Sequence, residues 1–209
     1  MSAMYNLFAG QSQERLAALS DGVFAFSLTV LVLGINVPTP ATIHSEQALW
    51  HALVALTPNL VTYLMSFLTL GIFWVGQQTQ LNQFTRTDRN LTWIHLGYLL
   101  AVTLTPFSTR LLASFIDYRL ALVIYWLNIL LLGIVLLGSW RYATGAKLVK
   151  EEITAEMRAA VVRRIVAAQG LYALGAALCV ISTYVSIGLI VLVQLNYALA
   201  PRARLLYRL

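Results

Sequence analysis

The chain has 209 residues, of which 59% are hydrophobic and only 11% charged, with a formal net charge of +6 and a mean hydropathy of +0.76. A soluble domain carries about a quarter charged residues, so this composition excludes a water-soluble globular protein and describes an integral membrane protein with almost no soluble domain. The positive balance does not call for nucleic acid, because Lys and Arg orient the helices of a membrane protein, and the lone Cys179, in an apolar run, supports neither a disulfide nor a cysteine metal site.

A spanning helix needs about 20 mostly apolar residues. The first candidate, 16–37, opens with Arg15-Leu-Ala-Ala-Leu19-Ser20-Asp21-Gly-Val-Phe-Ala-Phe26. An Asp or Arg at a helix centre costs about 2.5–3.5 kcal/mol on the insertion scale, so such a helix faces a partner or water rather than lipid. Asp21 is also a poor start for the apolar core of a signal peptide, so the segment is expected to be retained as a span. Six residues of helix place Arg15 and Asp21 about 240° apart, so they do not pair along their own helix. Arg15 either snorkels to the headgroups or finds a partner. Asp21 lies deeper and needs the partner more. Stepping along the face of Arg15 gives Leu19, Gly22, Phe26, Thr29 and Leu33, with Val30 beside them. That stripe is either ordinary lipid-facing surface or, where symmetry copies of the helix converge, a hydrophobic constriction that gates by dewetting. The second reading requires an oligomer.

The second span is expected at 52–77. Within it Thr57-Pro58 is either an N-cap and first-turn pair or a kink. Its far end, Gly71-Ile-Phe73-Trp74-Val-Gly-Gln77-Gln78, reads as an interfacial aromatic belt with two polar end residues. The third span, 91–109, follows Asp88-Arg89 and carries Trp93 and His95 at its start, with Pro106 ending or kinking it. An intramembrane His is either a proton site or a hydrogen-bonded structural residue. The fourth span is expected at 120–140, and Ala143–Arg158 as a helical cytoplasmic connector. Its Glu151-Glu152 pair has no spacing for a metal site. The apolar stretch 161–200 would be about 60 Å long as one helix. It carries Arg at both ends, so it is expected to fold back as a hairpin, 161–182 and 184–200, breaking near Ser182-Thr-Tyr184 or Ser186-Ile-Gly188.

Six spans with both termini cytoplasmic sort the basic residues. Arg15, Arg86, Arg89, Arg141, Lys147, Lys150, Arg158, Arg163, Arg164, Arg202, Arg204 and Arg208 fall inside, and only Arg110 and Arg119 outside. There is no Thr-Val-Gly-Tyr-Gly filter, His-Glu-x-x-His motif, Walker loop or Arg-rich sensor helix. His44, His51 and His95 are too scattered to propose a metal site. Nothing here points to an enzyme.

Taken in order, Arg15…Ser20-Asp21-Gly-Val-Phe-Ala, Gly71-Ile-Phe73-Trp74, Asp88-Arg89…Trp93 and Pro106-Phe107 resemble the prokaryotic branch of the transmembrane protein 175 family of potassium channels. The resemblance covers most of the chain. It implies an all-α homotetramer of six-helix subunits in a prokaryotic plasma membrane, with the first helices lining a central pore and no carbonyl filter. It implies a constriction at Phe26, Val30 and Leu33, a polar ring at Thr29, and no cofactor beyond permeant potassium. Arg15, Ser20, Asp21, Trp74, Trp93 and His95 are expected to form the network that positions the pore helix. This chain departs from the family pattern at Leu19, where the signature has Phe, and at Phe26, where Ile or Leu is usual. Gln77-Gln78 and His95 stand where His or Asn is common. Two other readings stay open: a proton-coupled secondary cation transporter using Asp21 and His95, and a non-transporting scaffold in which the same polar residues glue helices together.

Overall fold

Residues 12–199 are described in the computed structural model, and helices dominate them. In chain order they are α1 (Gln13–Val32), α2 (Glu46–Ala55), α3 (Thr57–Leu81), α4 (Arg89–Thr103), α5 (Thr105–Ser114), α6 (Arg119–Gly145), α7 (Ala155–Ala177) and α8 (Thr183–Leu199), with 3-10 turns at Pro40–Thr42 and Leu178–Val180. Among the described residues five stretches are long and apolar enough to cross a membrane: Gln13–Val32, Thr57–Leu81, Arg89–Ser114, Arg119–Gly145 and Ala155–Val180, with the apolar Thr183–Leu199 a shorter helix. Arg202, Arg204, Arg208 and the last residue of the sixth expected span lie outside the described residues.

The helix starts follow from side-chain caps. Ser12 accepts from the Arg15 N–H at 3.3 Å, Ser45 from Ala48 at 3.1 Å, Asp88 from Leu91 at 2.7 Å and Thr154 from Met157 at 3.2 Å. Each satisfies a donor that has no partner within its helix. α3 and α5 begin differently. Each follows a one-residue break, Leu56 or Leu104, and carries its proline in the first turn. A first-turn proline lacks only an N–H that would be unpaired in any case. Pro58 therefore starts a helix rather than kinking one. Thr57 does not cap it, because its hydroxyl donates back to the Val54 carbonyl at 2.6 Å. Pro106 bends the third span without ending it: Leu104 keeps right-handed helical angles (φ −77, ψ −17) between α4 and α5.

The helical connector expected over Ala143–Arg158 is corrected. α6 stops at Gly145 and α7 starts only at Ala155. Lys147 adopts φ 56, the Leu148 N–H donates to the Ala143 carbonyl at 2.9 Å, and Lys147 N–H to Thr144 at 3.3 Å. These are the paired bonds of a Schellman stop, with Lys where Gly is usual. The freed segment then docks on the α3–α4 loop. Thr85 N–H donates to Leu148 at 2.8 Å and Lys150 N–H to Gln83 at 2.9 Å, around a Phe84–Val149 bridge.

Both ends of the bundle are tied. At the basic end, Leu16, Leu81, Phe84, Leu91, Trp140, Leu148 and Ile153 form one buried cluster, with the Phe84 and Trp140 rings stacked at 6.2 Å. At the opposite end Arg119 donates to the Val180 carbonyl at 2.9 Å and Tyr184 to Asp117 at 2.8 Å. Between them runs a buried polar seam. Gln194 donates to Thr69 at 2.7 Å, Thr69 meets the Tyr125 hydroxyl at 2.9 Å, and Thr109 donates to Ser66 at 2.6 Å. Thr105 donates to Asn128 at 2.9 Å, and Asn128 to the Ala101 carbonyl at 2.9 Å. Inside a bilayer polar side chains find each other because lipid offers no partner. The seam joins α3, α4, α5, α6 and α8.

The 161–200 stretch turns back on itself at Leu178–Ser182, so α7 and α8 pack as a hairpin. They pack tightly at Gly175, whose carbonyl accepts from the Ser186 hydroxyl. A Cβ there would stand 2.9 Å from Cγ1 of Ile190. Gly175→Val is expected to destabilise the protein by about 1–3 kcal/mol through overpacking, measured as a lowered Tm in detergent. Gly170→Ala on the same helix, where nothing lies within 4 Å of the new Cβ, should not lower Tm, since Ala is the better helix former.

Candidate functional site: the docking of the first helix

α1 packs on α3, α4 and α5. Its buried stripe is Leu16, Ser20, Phe24, Ser27 and Leu31, spaced by three and four residues as one helical face demands. Phe24 meets Tyr98 at 6.0 Å between ring centroids, and Tyr98 donates to the Phe73 carbonyl at 3.0 Å. The Gln13 side chain donates to the Leu81 carbonyl, which fixes the start of α1 beside the end of α3.

The polar docking is concentrated at Ser20-Asp21. Oδ1 of Asp21 accepts from the Trp74 indole N–H at 2.8 Å and from the Gln78 amide at 2.6 Å. The Ser20 hydroxyl accepts from the Gln77 amide at 2.7 Å and donates to the Leu16 carbonyl at 2.9 Å. Donor and acceptor sets are complementary: α3 supplies N–H groups and α1 supplies oxygens. A carboxylate accepts only, so it selects such donors. Hydrogen bonds to an ionised acceptor are the stronger ones. Within α3, Trp74, Gln77 and Gln78 stand at i, i+3 and i+4, which puts all three on one face.

Of the six residues expected in this network, Asp21 and Trp74 meet directly, and Ser20 joins α3 through Gln77. Gln77 and Gln78 join them, although the sequence pattern reads them only as polar end residues of an aromatic belt. The i, i+3, i+4 spacing from Trp74 was the signal that could have found them. Arg15 lies in the exposed first turn of α1, with its backbone N–H on Ser12. Trp93 is exposed on α4. His95 is 1% exposed and packs elsewhere: Nδ1 lies 3.2 Å from the Leu91 carbonyl and the ring stands edge-on to Phe84 at 6.4 Å. Asp21 and His95 do not touch, so the structure shows no direct relay between them. Among the described residues no group of three or more His, Cys, Asp or Glu is placed to hold a metal.

The docked stripe leaves another face of α1 open. Phe26 is 68% and Leu33 71% exposed, and Leu19 and Thr29 are exposed with them, while Val30 is partly covered. The Thr29 hydroxyl donates to its own helix, to the Phe26 carbonyl at 2.8 Å.

The fold and this docking define a helical membrane protein whose first helix is held by one face and bare on another. The sequence profile of the family described as "Endosomal/lysosomal potassium channel TMEM175" matches residues 15–106, the stretch that holds the docking. A Chamaesiphon minutus protein named as a potassium channel is 31% identical over 193 residues, covering 90% of this chain and 95% of the relative. A Streptomyces collinus protein, also named as a potassium channel, is 34% identical over 134 residues, covering 62% of this chain and 64% of the relative, so the match spans a little under two thirds of that protein. The crystal structure of a Chamaesiphon minutus homologue, described as a lysosomal potassium-selective channel TMEM175 homolog, superposes with a TM-score of 0.79 at 29% identity, covering 91% of this chain and 98% of that one. The chain belongs to the TMEM175 family, which is a family of ion channels and not of enzymes.

The docking is testable without any transport assay. Trp74→Phe keeps the ring and deletes the donor, and is expected to cost about 1 kcal/mol, the size of an interhelical hydrogen bond in a membrane. In a double-mutant cycle with Asp21→Ala, thermal unfolding should show the two losses overlapping. Full additivity would mean that the bond carries no energy.

Proposed function

We propose that this protein is a homotetrameric, potassium-selective cation channel of a prokaryotic plasma membrane, with six spans per subunit and both termini cytoplasmic. The observation that carries the reading is the bare face of α1, apolar apart from Thr29 and presented by a helix whose docked stripe is fixed. When copies converge, Phe26, Val30 and Leu33 stack as apolar rings and Thr29 contributes a ring of hydroxyls between them. Apolar rings close a pore by excluding water, and the pore opens when the side chains rotate aside. Phe26 is the narrowest ring, because a phenyl group reaches further across the axis than the Ile or Leu usual there.

The orientation is supported by where the charges fall. The N-terminus of α1, the α3–α4 loop and the α6–α7 loop share one end, held by the Gln13–Leu81 contact and the Phe84–Val149 bridge. That end carries Arg15, Arg86, Arg89, Arg141, Lys147, Lys150 and Arg158, whereas Arg110 and Arg119 lie toward the other. A basic bias of this kind marks the cytoplasmic side. Thr183–Leu199 serves as the sixth span: its 17 residues reach the lower limit for crossing. The names of the Chamaesiphon and Streptomyces relatives support the ion assigned here.

Liposome flux of the purified protein tests this reading, first under a potassium gradient and then under a sodium gradient. Passive flux favouring potassium is expected. Phe26→Ala should raise conductance and change block, and Thr29→Val should lower the preference for potassium. A Phe26→Ala channel with unchanged conductance would remove the constriction from α1. Flux that requires a proton gradient and is lost in Asp21→Asn would replace the channel with the transporter, and a stable oligomer with no flux would replace it with the scaffold.

A further inference from the structure

A cavity of about 290 Å³ opens between α3, α6, α7 and α8, away from the α1 docking. Its lining holds several buried polar atoms without a partner. Gln80 is 2% exposed, yet neither its amide nitrogen nor its amide oxygen makes a hydrogen bond. Oε1 of Gln169 is unpaired as well, and Tyr172, 1% exposed, lines the same cavity. Among the described residues Arg164 is the one charged side chain on the lining, and no carboxylate lines it there. The remaining wall is mostly apolar, with Leu136 and Ile165 among its members.

Buried polar groups require partners, and the apolar wall of the cavity supplies none. The occupant that fits must bring an anion for Arg164. It must bring hydroxyl groups that both donate to the glutamine oxygens and accept from the Gln80 amide. It must also bring an apolar tail for the wall. We propose that this cavity binds an acidic phospholipid with a hydroxylated headgroup, of the phosphatidylglycerol type. Basic pockets between spanning helices on the cytoplasmic side recognise acidic headgroups in this way. Gln80 stands one residue before the end of α3, at the basic end of the bundle. The depth therefore matches an inner-leaflet headgroup, given the orientation proposed above. A phosphocholine headgroup fits less well: its phosphate is offset by a cation that repels Arg164, and its methyl groups offer no hydroxyl to Gln80 or Gln169. Phosphatidic acid supplies the anion but not the glycerol hydroxyls.

The test is lipid retention by the delipidated full-length protein, with the accompanying rise in Tm. The probes are mixed micelles of phosphatidylcholine alone, with phosphatidylglycerol or with phosphatidic acid. Phosphatidylglycerol should be retained most and raise Tm most. Arg164→Gln should lower its retention about fivefold, the effect of one basic side chain at an anionic headgroup. Gln80→Leu should lower phosphatidylglycerol retention towards that of phosphatidic acid and leave phosphatidic acid unchanged. Arg141→Gln, an exposed basic residue at the same end but off the cavity, should change nothing. Equal losses in Arg164→Gln and Arg141→Gln would overturn the site in favour of general charge attraction. Equal retention of phosphatidylcholine would overturn the headgroup, and an equal Tm shift from soluble glycerol phosphate would overturn the lipid. The readout is binding and not flux, so its failure leaves the channel reading untouched.

Discussion

The rotation of α1 about its own axis is the constraint on which the rest of the structure depends. Asp21 is an acceptor that lipid cannot satisfy. Trp74 and Gln78 are donors in the same position, and Gln77 and Ser20 repeat the arrangement one residue earlier. One residue of rotation is about 100°. A turn of that size would carry Asp21 away from its donors and bring apolar surface against them. The docking therefore selects one azimuth, and the exposed face of Phe26, Thr29 and Leu33 follows from it. An apolar face on a membrane helix is unremarkable by itself, since lipid would cover it. It gains meaning because the helix that presents it is anchored by charge elsewhere.

Two further devices make the scaffold around α1 rigid. The aromatic cluster of Phe84 and Trp140 gathers the basic end, and Leu16 ties the first turn of α1 into it. The polar seam from Gln194 through Thr69, Tyr125, Ser66 and Thr109 fixes helices that have no hydrophobic reason to associate within a bilayer. Each bond is weak, and the seam works because α3 and α6 contribute to it at several levels. The unpaired groups around Gln80 stand out against this background. Single unpaired atoms occur elsewhere, as at Oε1 of Gln77 and of Gln194, but at Gln80 both amide atoms are left open beside Oε1 of Gln169.

How much of this was visible beforehand depends on the range of the interaction. Pro58 and Pro106 marked real interruptions, because proline acts on its own backbone. Asp21 was marked as a residue in need of a partner, because its cost in lipid is intrinsic. The partner was only half visible: Trp74 was expected, while Gln77 and Gln78 looked like the end of a belt. The fate of Ala143–Arg158 was misjudged because the stop at Lys147 sits in a residue that seldom adopts φ 56, and because the segment then pairs with a loop about 60 residues earlier. The family resemblance implies His95 in the network around Asp21. Packing instead placed it against Phe84 and the Leu91 carbonyl.

The sequence by itself determined the solvent, the family resemblance and the outline of the helices. Hydropathy, caps and prolines act within a few residues, and the basic residues sort by loop without reference to any contact. Only the tertiary structure decided which donors face Asp21, that Asp21 and His95 lie apart, and that Gln80, Gln169 and Tyr172 share one cavity. Those outcomes depend on the relative rotation of packed helices. In a membrane that rotation is set by a few polar pairs and close approaches such as Gly175 on Ile190, and a one-dimensional pattern of apolar residues does not encode it.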